Sequence, residues 1–206
     1  GHGDVIHSMS YLPDGQRMFS GSFDKTARQW DLRMGKEIEE ARGVCEGCVY
    51  AVAVSRNGRW VATGGGDWNT DDPELKVCEV ETGIVKTFKG HSQTITCIDI
   101  SADNTLLASG SFDKTTRIWN LDTGKLVGPF KSEDRVGAVQ FSPDSRKLAV
   151  KAYWGSSLEV WDVQSQKLDT VGTPFKGHTE YVTGLALSFD DALLASASYD
   201  HTIKLW

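Results

Sequence analysis

Cysteine, proline and methionine are scarce in these 206 residues, which hold four, five and three of them. Of the cysteines, only Cys45 and Cys48 stand close together; Cys78 and Cys97 are isolated. So few sulfurs do not staple a chain of this size, and a reducing compartment is expected, the cytoplasm with the nucleus as alternative. No apolar run approaches the roughly 20 residues that span a bilayer, and no signal-peptide pattern opens the sequence, so no membrane partner is expected. Positive charge is in the minority: 22 Lys and Arg against 28 Asp and Glu leave a net charge of -6. Phosphate binding needs a concentrated basic face, and no basic run exists, which argues against a nucleic-acid partner.

What the chain does have is internal repetition. Its clearest unit is Gly90–Leu121, GHSQTITCIDISADNTLLASGSFDKTTRIWNL. A Gly-His pair opens it, and an alternating strand follows. A turn at Asp103-Asn104 leads to a small-residue strand over Leu106–Ser111, and a tight turn at Asp113-Lys114 leads to a third strand ending in Trp119. Similar units cover about 1–42, 43–89, 90–131, 132–176 and 177–206. The first reads as strands over Val5–Leu12, Arg17–Gly21, Ala27–Leu32 and Lys36–Ala41. Short strands with Gly/Asp turns at this rhythm predict an all-β, antiparallel architecture. His-to-Trp spacing is 28 residues in three units, from 2 to 30, 91 to 119 and 178 to 206. The second unit departs from the pattern: Asp67 to Cys78 spans 11 residues where Asp24 to Trp30 spans 6, and Asp67–Pro73 reads as a protruding loop.

Gly-His at the start and Trp-Asp at the end of a unit resemble the WD-repeat β-propeller family. The matching residues are Gly1-His2 with Trp30-Asp31, Gly90-His91 with Trp119-Asn120, Gly177-His178 with Trp206, and the ending Trp161-Asp162. The resemblance implies five blades of four antiparallel strands, and a hydrogen-bonded His-Ser-Asp-Trp tetrad inside each intact one. The matching sets are His2, Ser20, Asp24, Trp30; His91, Ser109, Asp113, Trp119; and His178, Ser196, Asp200, Trp206. A Trp N–H buried between sheets needs an acceptor, which Ser supplies, with His bridging to the turn Asp. In the second unit Cys45 stands at the His position and Cys78 at the Trp position. The fourth keeps Trp161 but has neither the His nor the turn Asp, and both units are expected to rely on packing alone. Three copies tied to buried Trp read as structural rather than as a hydrolase triad, which occurs once, with an exposed nucleophile.

The same resemblance implies that peptides and proteins bind on the narrow face, near the start of each innermost strand. The positions that correspond are Val5, His7 and Phe23; Thr94, Thr96 and Phe112; and Tyr181, Thr183 and Tyr199. The irregular units contribute Cys48, Tyr50, Arg135 and Tyr153, with Trp68 and Trp154 close by. Tyr, Trp and Arg are the residue types enriched at interface hot spots. The opposing reading is that Phe23, Phe112 and Tyr199 pad the ring interior. Cys45-Glu46-Gly47-Cys48 lacks a second pair at zinc spacing, and Thr63–Gly66 and Thr123-Gly124-Lys125 lack the full phosphate-loop pattern, so neither metal nor cofactor is expected.

Seven blades are usual in the family. Here the last unit stops at its third strand, and neither end supplies the outer strand that closes such rings. The expectation is part of a larger propeller, or one completed by another chain or by self-association at the open edge of the last blade. A self-contained five-blade ring is the alternative. The expected function is a non-enzymatic scaffold for a protein or peptide partner. A carbohydrate-binding propeller and an enzyme using the central channel are the alternatives.

Overall fold

A computed structural model of the chain describes residues 1–38, 42–43, 47–67, 72–156, 158–168, 177–188 and 193–205. Every regular element among these residues is a β-strand. The first sheet runs β1 (Ile6–Tyr11), β2 (Arg17–Ser22), β3 (Thr26–Asp31), β4 (Lys36–Glu37), with β5 (Arg42–Gly43) also pairing with β3. The second holds β6 (Cys48–Val54), β7 (Trp60–Asp67), β8 (Asp72–Glu79) and β9 (Val85–Thr87). The third is β10 (Ile95–Ile100), β11 (Leu106–Ser111), β12 (Thr115–Asn120) and β13 (Leu126–Lys131). The fourth is β14 (Val136–Phe141), β15 (Lys147–Ala152), β16 (Leu158–Asp162) and β17 (Lys167–Leu168). The fifth comprises β18 (Val182–Leu187), β19 (Leu194–Ser198) and β20 (Ile203–Leu205). All neighbours are antiparallel, and the chain folds as a five-bladed β-propeller.

Turn chemistry sets the rhythm. Between the first and second strands, Gly15, Gly58, Asn104 and Ser145 take φ of 64°, 71°, 62° and 60°. Between the second and third, Lys25, Lys114 and His201 adopt φ of 69°, 64° and 63° directly after an Asp. The Asp pins each of these left-handed turns by accepting the N–H two residues on, as Thr26 and Thr115 do to Asp24 and Asp113 at 3.0 and 2.9 Å.

The second strands of blades two and three, β7 and β11, are buried along nearly their whole length, and small residues fill much of them. An added Cβ at Gly21 would meet Val49 and Val52 of the next blade at 2.5 and 2.6 Å, and at Gly64 it would meet Ile95 at 2.8 Å. The core is correspondingly divided among the joints. Val49, Val52 and Val61 pack with Phe19 between blades one and two. Trp60, Leu75, Phe88, Ile95, Leu107 and Trp119 fill the joint between two and three, and Phe130, Val136, Phe141 and Leu148 that between three and four. Lys151 occupies the small-residue position in the fourth blade and is buried there, which lowers its pKa.

The insertion in the second unit differs from its sequence reading. Gly66 pairs with Pro73 and Asp67 with Asp72, so the extra residues lengthen β7 and β8 to eight residues each. Asp67 and Pro73 therefore belong to a taller hairpin rather than a loop. Trp68 and residues 69–71 lie outside the described residues, as do Glu39–Ala41 and most of the fourth strand read over Leu168–Phe175.

Polar groups also bridge the joints. Ser8 and Ser10 hydroxyls accept the Val52 and Val54 N–H groups at 3.0 and 3.1 Å. Asp99 Oδ2 accepts the Phe141 N–H at 2.7 Å and the Gln140 side-chain amide at 3.1 Å across the third joint. Burial pushes the Asp99 carboxyl up to about 7, against the Phe141 and Ile100 N–H donors and the charge of Arg56. The unfolded chain releases this proton near 3.9, so the fold holds it over a range where the unfolded state does not. This site's contribution is thus full below about pH 4 and is lost as pH rises through about 7. Asp99→Asn keeps an acceptor without the ionisation. It is expected to gain on the parent chain as pH rises to 8, by no more than about 4 kcal/mol, and to gain nothing at pH 4. Unfolding midpoints across that range check this, and a pH-independent difference would contradict it.

Candidate functional site

The Gly-His residues enter each intact blade beside the first strand and meet the second and third through hydrogen bonds. His2 Nε2 lies 2.6 Å from Ser20 Oγ, and its Nδ1 lies 2.8 Å from Asp24 Oδ2. Trp30 Nε1 donates to the same Ser20 Oγ at 2.7 Å. In blade three His91 bonds Ser109 and Asp113, both at 2.8 Å, and Trp119 Nε1 donates to Ser109 at 2.9 Å. In blade five His178 bonds Ser196 and Asp200, again both at 2.8 Å, while Trp206 lies outside the described residues. One proton arrangement satisfies every atom. Trp N–H donates to Ser, Ser O–H to His Nε2, and His Nδ1–H to the Asp carboxylate.

The same geometry excludes hydrolysis at these serines. Ser20, Ser109 and Ser196 are at most 1% exposed, and in the first two the oxygen already accepts an indole N–H. Each Asp is a strong anion. Burial acts to raise the Asp113 carboxyl, but hydrogen bonds from His91, Thr115 and the Ser92 N–H together hold it well below the usual range. Asp24 is held down likewise, by Thr26, the Gly3 N–H and His2. The Thr at Asp+2 escaped the sequence reading. Thr26, Thr115 and Thr202 each donate a 2.6 Å hydrogen bond to the Asp Oδ1, and their constant offset from Asp is the signal that finds them. Gly90 is explained by its neighbours: a Cβ there would meet the Arg117 guanidinium at 2.6 Å and the Trp119 ring at 3.1 Å.

The irregular blades differ from each other. In blade four Trp161 Nε1 donates to Glu159 Oε2 at 3.0 Å, and Ser132, at the His position, donates to the same oxygen at 2.9 Å. Blade four therefore does not rely on packing alone. A carboxylate from the third strand replaces the Ser and His. In blade two Cys45 lies outside the described residues, Thr63 is buried, and the Cys78 thiol turns to the Glu79 carbonyl at 3.6 Å.

A cavity of about 390 Å³ lies where the five innermost strands converge, bordered by His7, Tyr50, Thr96, Cys97, Gly137 and Thr183 among others. Burial pushes the Cys97 thiol up to about 12, so it is no thiolate nucleophile at neutral pH. Among the described residues no three His, Cys, Asp or Glu side chains stand together as metal ligands. Thr96 Oγ1 donates to the Val136 carbonyl at 2.7 Å and ties blades three and four together.

The narrow-face positions divide into two groups. Thr94, Tyr50 and Phe112 are 3–6% exposed, beneath the surface rather than on it. His7 stacks on Phe23 at 4.5 Å between ring centroids, and both rings lean on Tyr50. On the other side Phe112, Tyr153, Trp154 and Tyr181 form a continuous run, with successive centroids 4.9, 4.9 and 6.1 Å apart. The Arg135 guanidinium sits 5.0 Å from the Phe112 ring centre. Trp154, Tyr181 and Tyr199 are 57%, 44% and 64% exposed.

Repeating blades with one internal hydrogen-bond pattern mark a repeat family, and its sequence model, "WD domain, G-beta repeat", matches residues 1–31, 40–70, 83–120 and 169–206. The chain belongs to the WD40 family. The WD40 matches leave out 121–168, which includes the blade where Glu159 and Ser132 take over the tetrad's place. The chain is 29% identical to the small ribosomal subunit protein RACK1 of Caenorhabditis elegans, with all of this chain and 77% of that protein covered. It is 26% identical to RACK1y of Oryza sativa subsp. japonica, covering 75% of it. Identity is also 26% to a ribosome biogenesis protein WDR12 homolog of Drosophila persimilis, of which it spans 53%.

Removing one WD40 relay oxygen tests its energetic role. Ser109→Ala orphans the buried Trp119 N–H and His91 Nε2 and is expected to cost about 1–3 kcal/mol in urea unfolding at unchanged slope. Ser92→Ala, at an exposed side chain, is expected to stay within about 0.5 kcal/mol. Equal effects would contradict the relay.

Proposed function

We propose that this WD40 chain is a non-enzymatic interaction module that holds a protein or peptide segment on its narrow face. The observation that supports this reading most is the aromatic run over blades three to five. Its buried end, Phe112, is wedged under Arg135, and its outer end offers Trp154 and Tyr181 to solvent, with exposed Tyr199 joined to Tyr181 through its backbone N–H. Rigid aromatic side chains beside a guanidinium are the composition of interface hot spots, and contiguous exposed rings mark interaction surfaces. The buried members serve the exposed ones. Tyr153 meets both Phe112 and Trp154 edge-on, at 88° and 80°, and so fixes the indole from below.

Membership in multi-component assemblies supports the same reading. The relatives are by name a small ribosomal subunit protein and a ribosome biogenesis protein. A cytoplasmic or nuclear scaffold, recruiting a partner without acting on it chemically, is the function proposed for this chain.

Trp154→Ala with Tyr181→Ala tests the face, because both side chains are exposed and contribute little to the core. Partners captured from an extract by the parent chain are expected to bind the double variant at least about tenfold more weakly, the scale of a hot spot. Val85→Ala, on the outermost strand of blade two, is expected to leave capture unchanged. Equal capture by all three proteins would contradict this assignment.

A further inference from the structure

A glycine recurs at one register of the second strands and is replaced once. Gly21, Gly64 and Gly110 lie opposite Ser8, Ala51 and Cys97, and Lys151 lies opposite Ala138 in the same register of blade four. At the glycines the next blade covers the backbone closely: an added Cβ would run into Val49 and Val52, into Ile95, and into Val136. Lys151 puts a four-carbon stem and an ammonium where these residues have only hydrogen. The joint it faces is open as a result. β2, β7 and β11 each pack on the first strand of the following blade, whereas β15 scarcely reaches β18. Among the described residues no apolar cluster fills this joint, although one fills each of the three before it.

The ammonium has no counter-ion. Lys151 is only 6% exposed, and burial holds its pKa below the lysine range. Among the described residues no carboxylate meets it; the ionisable group that feels its charge is the Cys97 thiol, which burial keeps neutral. Cys97 borders the cavity of about 390 Å³, as do Gly137, Tyr153 and Thr183 of the two blades that Lys151 holds apart. No described side chain around that cavity is acidic. Lys151 stands two residues before Tyr153, beneath the aromatic run. There the two blades do touch: Trp154 meets Tyr181 at 6.1 Å between centroids, and the Val182 N–H donates to the Gly155 carbonyl at 3.0 Å. A buried cation is costly until an anion joins it, so a ligand that supplies one gains what the fold alone forgoes.

We propose that, on the narrow-face reading above, the partner segment carries an Asp or Glu whose carboxylate enters the cavity beside Tyr153 and Thr183 and pairs with the Lys151 ammonium. Charge complementarity selects this occupant. The chain as a whole has a net charge of -6, yet this site offers a cation and no competing acid. Burial also raises the Tyr50 hydroxyl on the cavity border, so that group stays protonated and adds no negative charge. Glu133 and Glu180 lie at the exposed surface, where water screens them. A carboxylate that passes them meets Lys151 in a drier setting, where opposite charges attract more strongly. The exposed rings of Trp154 and Tyr181 then take the apolar neighbours of the acidic residue, and Lys151 decides which residue goes between them.

Selection from a synthetic peptide library on the immobilised whole chain tests the proposal. The library holds short fluorescent peptides with Asp, Glu, Asn or Gln at one fixed position and random residues elsewhere. Peptides that the parent chain enriches are then measured by anisotropy against the parent, Lys151→Met, Lys151→Gln, and Trp154→Ala with Tyr181→Ala. The parent is expected to enrich Asp and Glu, and to bind those peptides at least about tenfold more tightly than their Asn and Gln counterparts. Lys151→Met keeps the apolar stem and drops the charge, so it is expected to erase that ratio while binding the amide peptides as the parent does. Lys151→Gln, with a shorter polar stem, is expected to do the same, and either variant that keeps the parent's near-ultraviolet spectrum decides the point. The aromatic variant is expected to weaken acidic and amide peptides alike. Enrichment without a preference for acid, or a preference that survives loss of the Lys151 charge, would overturn the carboxylate assignment and leave the narrow-face reading standing. A parent chain that enriches no peptide would overturn both.

Discussion

A buried indole N–H has to be satisfied, and in this chain that need ties three strands and a turn into one unit. Trp119 donates to Ser109 on the neighbouring strand, Ser109 to His91 ahead of the first strand, and His91 to Asp113 in the turn. The turn Asp then accepts the Thr115 N–H and hydroxyl, fixing the left-handed Lys114 beside it. One relay thus sets the entry of the chain, the register of the inner strands and the shape of the hairpin. Partial removal leaves a buried donor or acceptor without a partner, which is costlier than never having placed it there. Blade four is consistent with this: lacking Ser and His at the usual positions, it supplies Glu159 to the indole from the indole's own strand, two residues before it.

Legibility in the sequence followed how local each constraint is. The 28-residue His-to-Trp interval and the Asp-Lys turns place His91, Ser109 and Asp113 on successive segments of one antiparallel sheet. Strand order and fold class follow from the same punctuation. The hairpin at Asp67 was misread because a polar, Pro-bearing insertion looks like loop, whereas pairing of Gly66 with Pro73 depends on the partner strand. Glu159 was invisible because nothing in a single unit says that a third-strand carboxylate turns inward to an indole two residues away. Exposure at the narrow face was only half readable. Phe112 and Tyr199 hold equivalent positions, but Phe112 lies under Arg135 and against Tyr153, while Tyr199 stands in solvent.

Stability and recognition are divided along these lines. Small residues such as Gly21 and Gly64 let one blade approach the next, and hydroxyls such as Ser8 and Thr96 pin the joints. The interior is committed to packing and to sealed hydrogen bonds. At the rim, Phe23, Phe112, Tyr153 and Tyr199 hold equivalent positions and each carries a ring, and what separates Phe112 from Tyr199 is burial, 6% against 64% exposed.

The relay is most directly tested by the protonation of its histidines. Nitrogen-15 NMR of the imidazoles at neutral pH distinguishes the two tautomers and reports how fast each ring N–H exchanges with water. His2, His91 and His178 are expected as Nδ1–H tautomers, with the Nδ1 proton protected by the Asp carboxylate and Nε2 accepting from Ser. Nε2–H tautomers, or ring protons at these three sites that exchange as fast as that of exposed His201, would contradict it.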